Sequence, residues 1–188
     1  MGKAESPFQW ILLIYRVPQN PPGRRTYVWR QLKQLGAVYL QQAAAILPDT
    51  PALREAVERL VMRIEETDGE VSLLLTSSPS SAWEDALIER FNRARDEEYA
   101  EVVENVERLE DEIRRESGKG KFTFAELEEL ESDWDKIQRW FERIGTRDVF
   151  TAPAQQCAAA AMKAARTLLD DFTATVYARE DNQGQVTT

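Results

Sequence analysis

Residues 8–18, FQWILLIYRVP, decide the fold. The run is apolar without a break from Trp10 to Leu13, continues through Ile14 and Tyr15, and is closed by Pro18. A continuous Ile- and Leu-rich stretch of this length reads as a strand buried on both faces of a sheet. It is far too short to cross a bilayer. QNPPG (19–23) follows as a turn, and a helix is expected from about Arg24 to Leu35. On it Val28, Leu32 and Leu35 form an i, i+4, i+7 stripe that Trp29 broadens, Arg30 and Lys33 fall on the other flank, and Gly36 stops it.

AVYLQ and AAAIL come next, as two short strands or one long bent strand. Thr50 then caps a helix with Pro51 at its first position, where a missing N–H costs nothing. Leu53, Ala56, Val57, Leu60, Val61 and Ile64 give that helix one apolar side, and after the turn at DGE the run VSLLL supplies a last strand. The order β-α-β-β-α-β predicts an α+β fold, a ferredoxin-like sandwich with two helices on one face of an antiparallel sheet.

Beyond SSPSS the pattern is helical. Ser81 and Glu84 make a capping box, and Tyr99, Val102, Val106, Leu109 and Ile113 keep a 3-4 spacing to about Arg115. Thr123 and Glu126 open a second long helix, with Leu127, Leu130, Trp134, Ile137, Phe141 and Ile144 as its seam. Pro153 opens a third, with Ala158, Ala161, Ala165, Leu168 and Phe172 as its stripe. The expected organisation is a ferredoxin-like domain over residues 1–77, followed by a bundle of three long helices over 78–188.

Composition narrows the chemistry. The 188 residues contain no histidine and one cysteine. That removes His-based acid–base work, Ser-His-Asp and Cys-His nucleophiles, the usual zinc sites and any internal disulfide. MGKAES fits a myristoylation pattern loosely through Gly2. The start lacks the basic region and long apolar stretch of a signal peptide, so a cytoplasmic protein with no membrane association is expected. The net charge of −9 is unevenly spread. Residues 1–47 hold six bases against one acid, a net of +5, which leaves 18 bases and 32 acids, a net of −14, for the rest. A locally basic first quarter can still meet a polyanion.

Four ordered stretches carry a family resemblance: WILLIYRVP, RRTYVWRQLKQLGAVYLQQAAAILPDTP, FNRARDEEYAE and GKFTFAELEELE. Together they resemble the amino-terminal domain of the ChrB family, from Trp10 to about Tyr177. The resemblance implies a chromate-responsive transcriptional regulator of bacterial chromate resistance. It also implies a further carboxy-terminal chromate-resistance domain, which would act here as a separate partner chain. In outline the first half is similar to the CRISPR-adaptation nucleases and the middle domain of PaaX-type repressors, which implies a homodimer. Where those nucleases place a metal-binding aspartate, this chain has Tyr15-Arg16-Val17-Pro18. An arginine offers no lone pair and repels a cation.

The candidate site is therefore basic. Arg16, Arg24, Arg25, Arg30 and Lys33 are expected to contact DNA phosphates, or to fork onto a chromate or sulfate oxyanion. The plainer reading of the same residues is a solvated turn whose arginines pair with the acidic helices. Asp96 with Glu97 or Glu98 could hold a divalent cation, but acids interleaved with Arg93 and Arg95 more often form surface pairs, and Asn92, Arg95 and Glu98 are expected to form a structural network bridging bundle and sandwich. The acids of 107–116 and 126–135 read as solvated faces, with binding of a basic partner, as an interaction scaffold, the alternative function. Cys157, on an alanine-rich stretch, reads as packing. No cofactor, metal or catalytic residue is assigned, and no enzyme activity is expected.

Overall fold

A computed structural model describes residues 8–18, 20 and 22–186, with side chains through Asp181. Gly2 of the lipidation pattern, part of the 19–23 turn and the last residues of the tail fall outside these. The elements run β1 (Gln9–Arg16), α1 (Arg24–Gln34), β2 (Val38–Gln41), β3 (Ala44–Pro48), α2 (Pro51–Glu65), β4 (Glu70–Ser77), α3 (Ser81–Gly118), α4 (Phe124–Gly145) and α5 (Ala154–Val186). The chain forms two compact units, one through Ala94 plus Arg147–Phe150, the other Arg95–Thr146 plus residues 151–188.

In the first unit the sheet order is β2-β3-β1-β4, with all neighbours antiparallel. This is the ferredoxin-like arrangement. The oily run lies where its composition demands, between β3 and β4. Side chains alternate across a strand, and here the odd positions Ile11, Leu13 and Tyr15 face a core shared with Val28 and Leu32 of α1 and Val57, Leu60 and Ile64 of α2. Even positions face the other side. There Trp10 stacks on Phe91 at 5.6 Å between ring centroids, with Phe150 against both. Further along the same face Ile14 is exposed.

The caps form as the residues require. Thr50 accepts from the Leu53 amide at 3.3 Å with Pro51 at the first helical position. Gly23, at φ 101°, starts α1 in a left-handed conformation that only glycine adopts freely. Trp29, expected to widen the α1 stripe, is instead exposed, because it lies a full 100° round the helix from Val28.

The second unit buries Tyr99, Val102, Val106, Leu109 and Ile113 of α3 against Leu127, Leu130, Trp134, Ile137 and Ile144 of α4. From α5 come Ala158, Met162, Ala165, Leu169, Phe172 and Val176. Ala161 and Leu168, read as part of this stripe, are only half-buried. Met162 and Leu169 take the core positions, one step round the helix. Among the described residues no helix is long and apolar enough to cross a membrane.

Candidate functional site

The crossovers of the sandwich bring the end of β1, the start of α1, the end of α2 and the β2–β3 turn to one end of the sheet. Three of the five predicted bases sit there, and they diverge. Arg16 stands opposite Glu70 in the β1–β4 register. Its guanidinium is 3.8 Å from that carboxylate, with side chains 82% and 74% exposed. A pair so exposed is worth little and neutralises little. Arg24 turns toward α2 and donates to the Thr67 carbonyl at 2.8 Å. Arg25 points the other way, into an open cleft of about 430 Å³ with Tyr15, Thr26, Trp29, Tyr39, Gln41 and Gln42.

Arg30 lies further along α1 on its exposed side, and Lys33 is near the far end. The Lys33 carbonyl accepts from Arg147 at 3.2 Å. The five bases therefore do not converge on one concavity. What unites Arg25, Arg30 and Lys33 is that no ion pair answers them among the described residues. Helix α1, RRTYVWRQLKQ, contains four bases and no acid, so it has no carboxylate of its own to fold back on.

At the floor of the Arg25 cleft the hydroxyls of Tyr15 and Tyr39 meet at 2.9 Å. Burial and this hydrogen bond hold the Tyr39 phenol well above the usual tyrosine range, against an opposing pull from Arg25. It stays protonated, so the pair offers one O–H beyond the bond it shares. Sequence reasoning missed this pair. Its rings come from strands separated by β3, and the alanines at 43–45 leave room between them. Tyr39 is further fixed through its carbonyl, which accepts from Arg90 at 2.7 Å.

Arg95, buried, donates from Nη2 to Glu98 at 3.2 Å, and its Nε lies 3.1 Å from the same carboxylate as an ion pair. Among the described residues the buried amide oxygen of Asn92 has no hydrogen-bond partner. Asp96, weighed as a cation ligand, instead accepts from the Ala154 amide at 2.8 Å and so holds the first turn of α5. Cys157 is exposed rather than packed. Among the described residues no group of three or more Cys, Asp or Glu is placed to hold a metal.

The acidic helices answer themselves. Arg114 pairs with Glu110 and Asp111, Lys136 with Asp133, and Arg166 with Asp170, all at i,i+3 or i,i+4. Glu116 is the buried exception. Lys119 at 2.7 Å, Arg115 at 3.1 Å and Lys121 at 3.5 Å surround its carboxylate. The hydrogen bond from Lys119 leads in lowering it from the ordinary glutamate value to about 2.

Fold and surface together define an α+β sandwich protein with one acid-free basic helix and an acidic helical unit whose bases pair locally with part of its carboxylates. The profile described as "Protein ChrB, N-terminal" matches residues 25–183, most of the chain. The chain belongs to the ChrB amino-terminal family. One relative, Protein ChrB of Cupriavidus metallidurans, is 33% identical over 92 residues. The match covers 49% of this chain and 28% of that relative's length. No solved structure matches the chain significantly.

Proposed function

We propose that this chain is the DNA-contacting module of a homodimeric regulator linked to chromate resistance, with Arg25, Arg30 and Lys33 of α1 supplying its phosphate contacts. Membership of the ChrB family supports the regulatory part of this reading. The observation that carries the DNA part is the acid-free α1, whose three outward bases lack carboxylate partners among the described residues of a chain with net charge −9. An unpaired cation near a polyanion gains by releasing condensed counterions, whereas a paired one gains much less.

The Arg25 cleft is the place proposed for an oxyanion. A guanidinium beside a spare phenolic O–H suits a tetrahedral dianion such as chromate or sulfate. No catalytic role is assigned to any residue. The test is retardation of the protein's own upstream DNA in a gel, titrated with salt and then with chromate. Retardation that salt abolishes and chromate alters is the expected result. Absence of retardation at low salt overturns the DNA reading.

A further inference from the structure

Strand β4 closes one side of the sheet, paired with β1 along all eight of its residues and, among the described residues, with no strand on its other edge. Proteins guard such edges with charges, proline, bulges or brevity. The opposite edge, β2, is guarded: it has four residues and an irregular register between Tyr39 and Gln41. β4 is not. Its single charge is Glu70 at the first position, and Val71–Ser77 contains neither charge nor proline.

Leu74 is 49% and Leu75 53% exposed. Being consecutive, they lie on opposite faces of the sheet. Leu75 lies on the face that α1 and α2 cover, so its exposure marks an edge without a neighbouring strand, whereas Leu74 shares the open face with Ile14; a ligand lying on a single face would cover only one of the two leucines. The sequence around them then selects the neighbour. Ser72-Leu73-Leu74-Leu75-Thr76 has the same chemistry read in either direction about Leu74.

We infer that β4 pairs antiparallel with β4 of a second copy, centred on Leu74, to give a continuous eight-stranded sheet. A two-fold axis perpendicular to the sheet keeps each face on its own side. Leu74 then meets its own copy, Leu73 meets Leu75, and the hydroxyl of Ser72 meets that of Thr76. The central cross-strand pairs, from Ser72 to Thr76, are matched in kind, and Val71 falls opposite Ser77 at either end. The two Glu70 carboxylates go to opposite ends, about 25 Å apart at the strand rise. A parallel pairing would set them side by side. This inference rests on the dimeric part of the function proposed above and is independent of its DNA part.

The test omits nucleic acid, so that self-association and DNA binding succeed or fail separately. Sedimentation of the chain at high micromolar concentration is expected to give twice its 21.6 kDa mass. The Leu74→Lys/Leu75→Lys double variant, changed only at exposed positions, is expected to be monomeric with an unaltered circular dichroism spectrum. In a Cys157→Ser background, Leu74→Cys is expected to form an intermolecular disulfide on oxidation, since directly paired residues sit about 4.5–5.5 Å apart between Cα atoms. Ser77→Cys is the control, because the register separates its copies by about 20 Å. A monomeric parent chain, a lysine variant that remains dimeric, or equal cross-linking at 74 and 77 would each overturn the inference.

Discussion

Removing α1 bases one at a time gives a quantitative test of whether this helix meets phosphate. Of the four α1 bases Arg24 is held by the Thr67 carbonyl, so three cations of this helix remain per protomer. Each phosphate contact contributes a slope of about −0.9 to log affinity against log salt. Three contacts predict about −2.7 per protomer, or roughly a 40-fold loss of affinity for a fourfold rise in salt. Arg30→Ala should make that slope shallower by about 0.9 per protomer, and the Arg25/Arg30/Lys33 triple alanine variant should remove it almost entirely. At 100° per residue Arg25, Arg30 and Lys33 span an arc of about 140°, wide enough to follow a backbone and too wide for one small ion. Fluorescence anisotropy with a labelled duplex from the upstream region, repeated across a salt series, reads the slope directly. Arg59→Ala is the control, an exposed arginine on α2 already answered by Glu55. A triple variant that keeps the parent slope, or an Arg59 variant that loses as much as Arg30, would refute the assignment.

Other perturbations probe the framework. Gly69→Ala should cost about 1–3 kcal/mol in a urea melt, because an added Cβ would lie 2.5 Å from Ile64 Cγ2 and 2.8 Å from the Ile64 carbonyl. An unchanged midpoint would show that the turn before β4 yields easily. Leu130→Ala, fully buried in the second unit, should cost about 2–5 kcal/mol, and a smaller loss in a denaturation curve would mean that the helices close the cavity. Glu116→Gln should destabilise the chain at neutral pH. A carboxylate held near 2 contributes stability that is full above the ordinary glutamate value and is lost as pH falls toward 2. The parent and variant melting temperatures should therefore converge on acidification, and a constant gap would contradict the ion cluster. Thr123→Ala should cost about 1 kcal/mol, the hydrogen bond to the Glu126 amide being the only cap it removes.

Local signals carried the fold a long way. The run from Trp10 to Tyr15 identifies an inner strand, although its even face is covered only around Trp10 and leaves Ile14 exposed, and Thr50-Pro51 marks a helix start through one missing donor and one supplied acceptor. The phase of α5 was harder to read. In AQQCAAAAMKAARTLL alanine fits almost any position, so only Met162 and Leu169, whose bulk needs a cavity, reveal the true core side. Trp29 misled in the opposite sense, since a large aromatic near an apolar stripe reads as core. The candidate surface was legible as composition and illegible as geometry. Nothing near Arg24 announces the Thr67 carbonyl 43 residues on, and Tyr15 finds Tyr39 only once the sheet order is known. Asp96 likewise looked like part of an acidic cluster until α5 returned to place Ala154 against it.

The charge separation acquires a physical meaning from these details. A helix whose acids and bases alternate at three or four residues can neutralise itself, as Glu110-Asp111-Arg114 and Asp133-Lys136 do, and such pairs leave little field at a distance. Helix α1 has no such option, because its eleven residues include no acid. Its charge is answered only by groups distant in sequence or by something outside the chain. The fold uses the first route for Arg24 alone. An acidic protein that leaves Arg25, Arg30 and Lys33 without carboxylate partners among its described residues, while pairing Arg93, Arg95, Arg114, Arg115 and Arg166 of its long helices, keeps its positive potential where a polyanion can meet it.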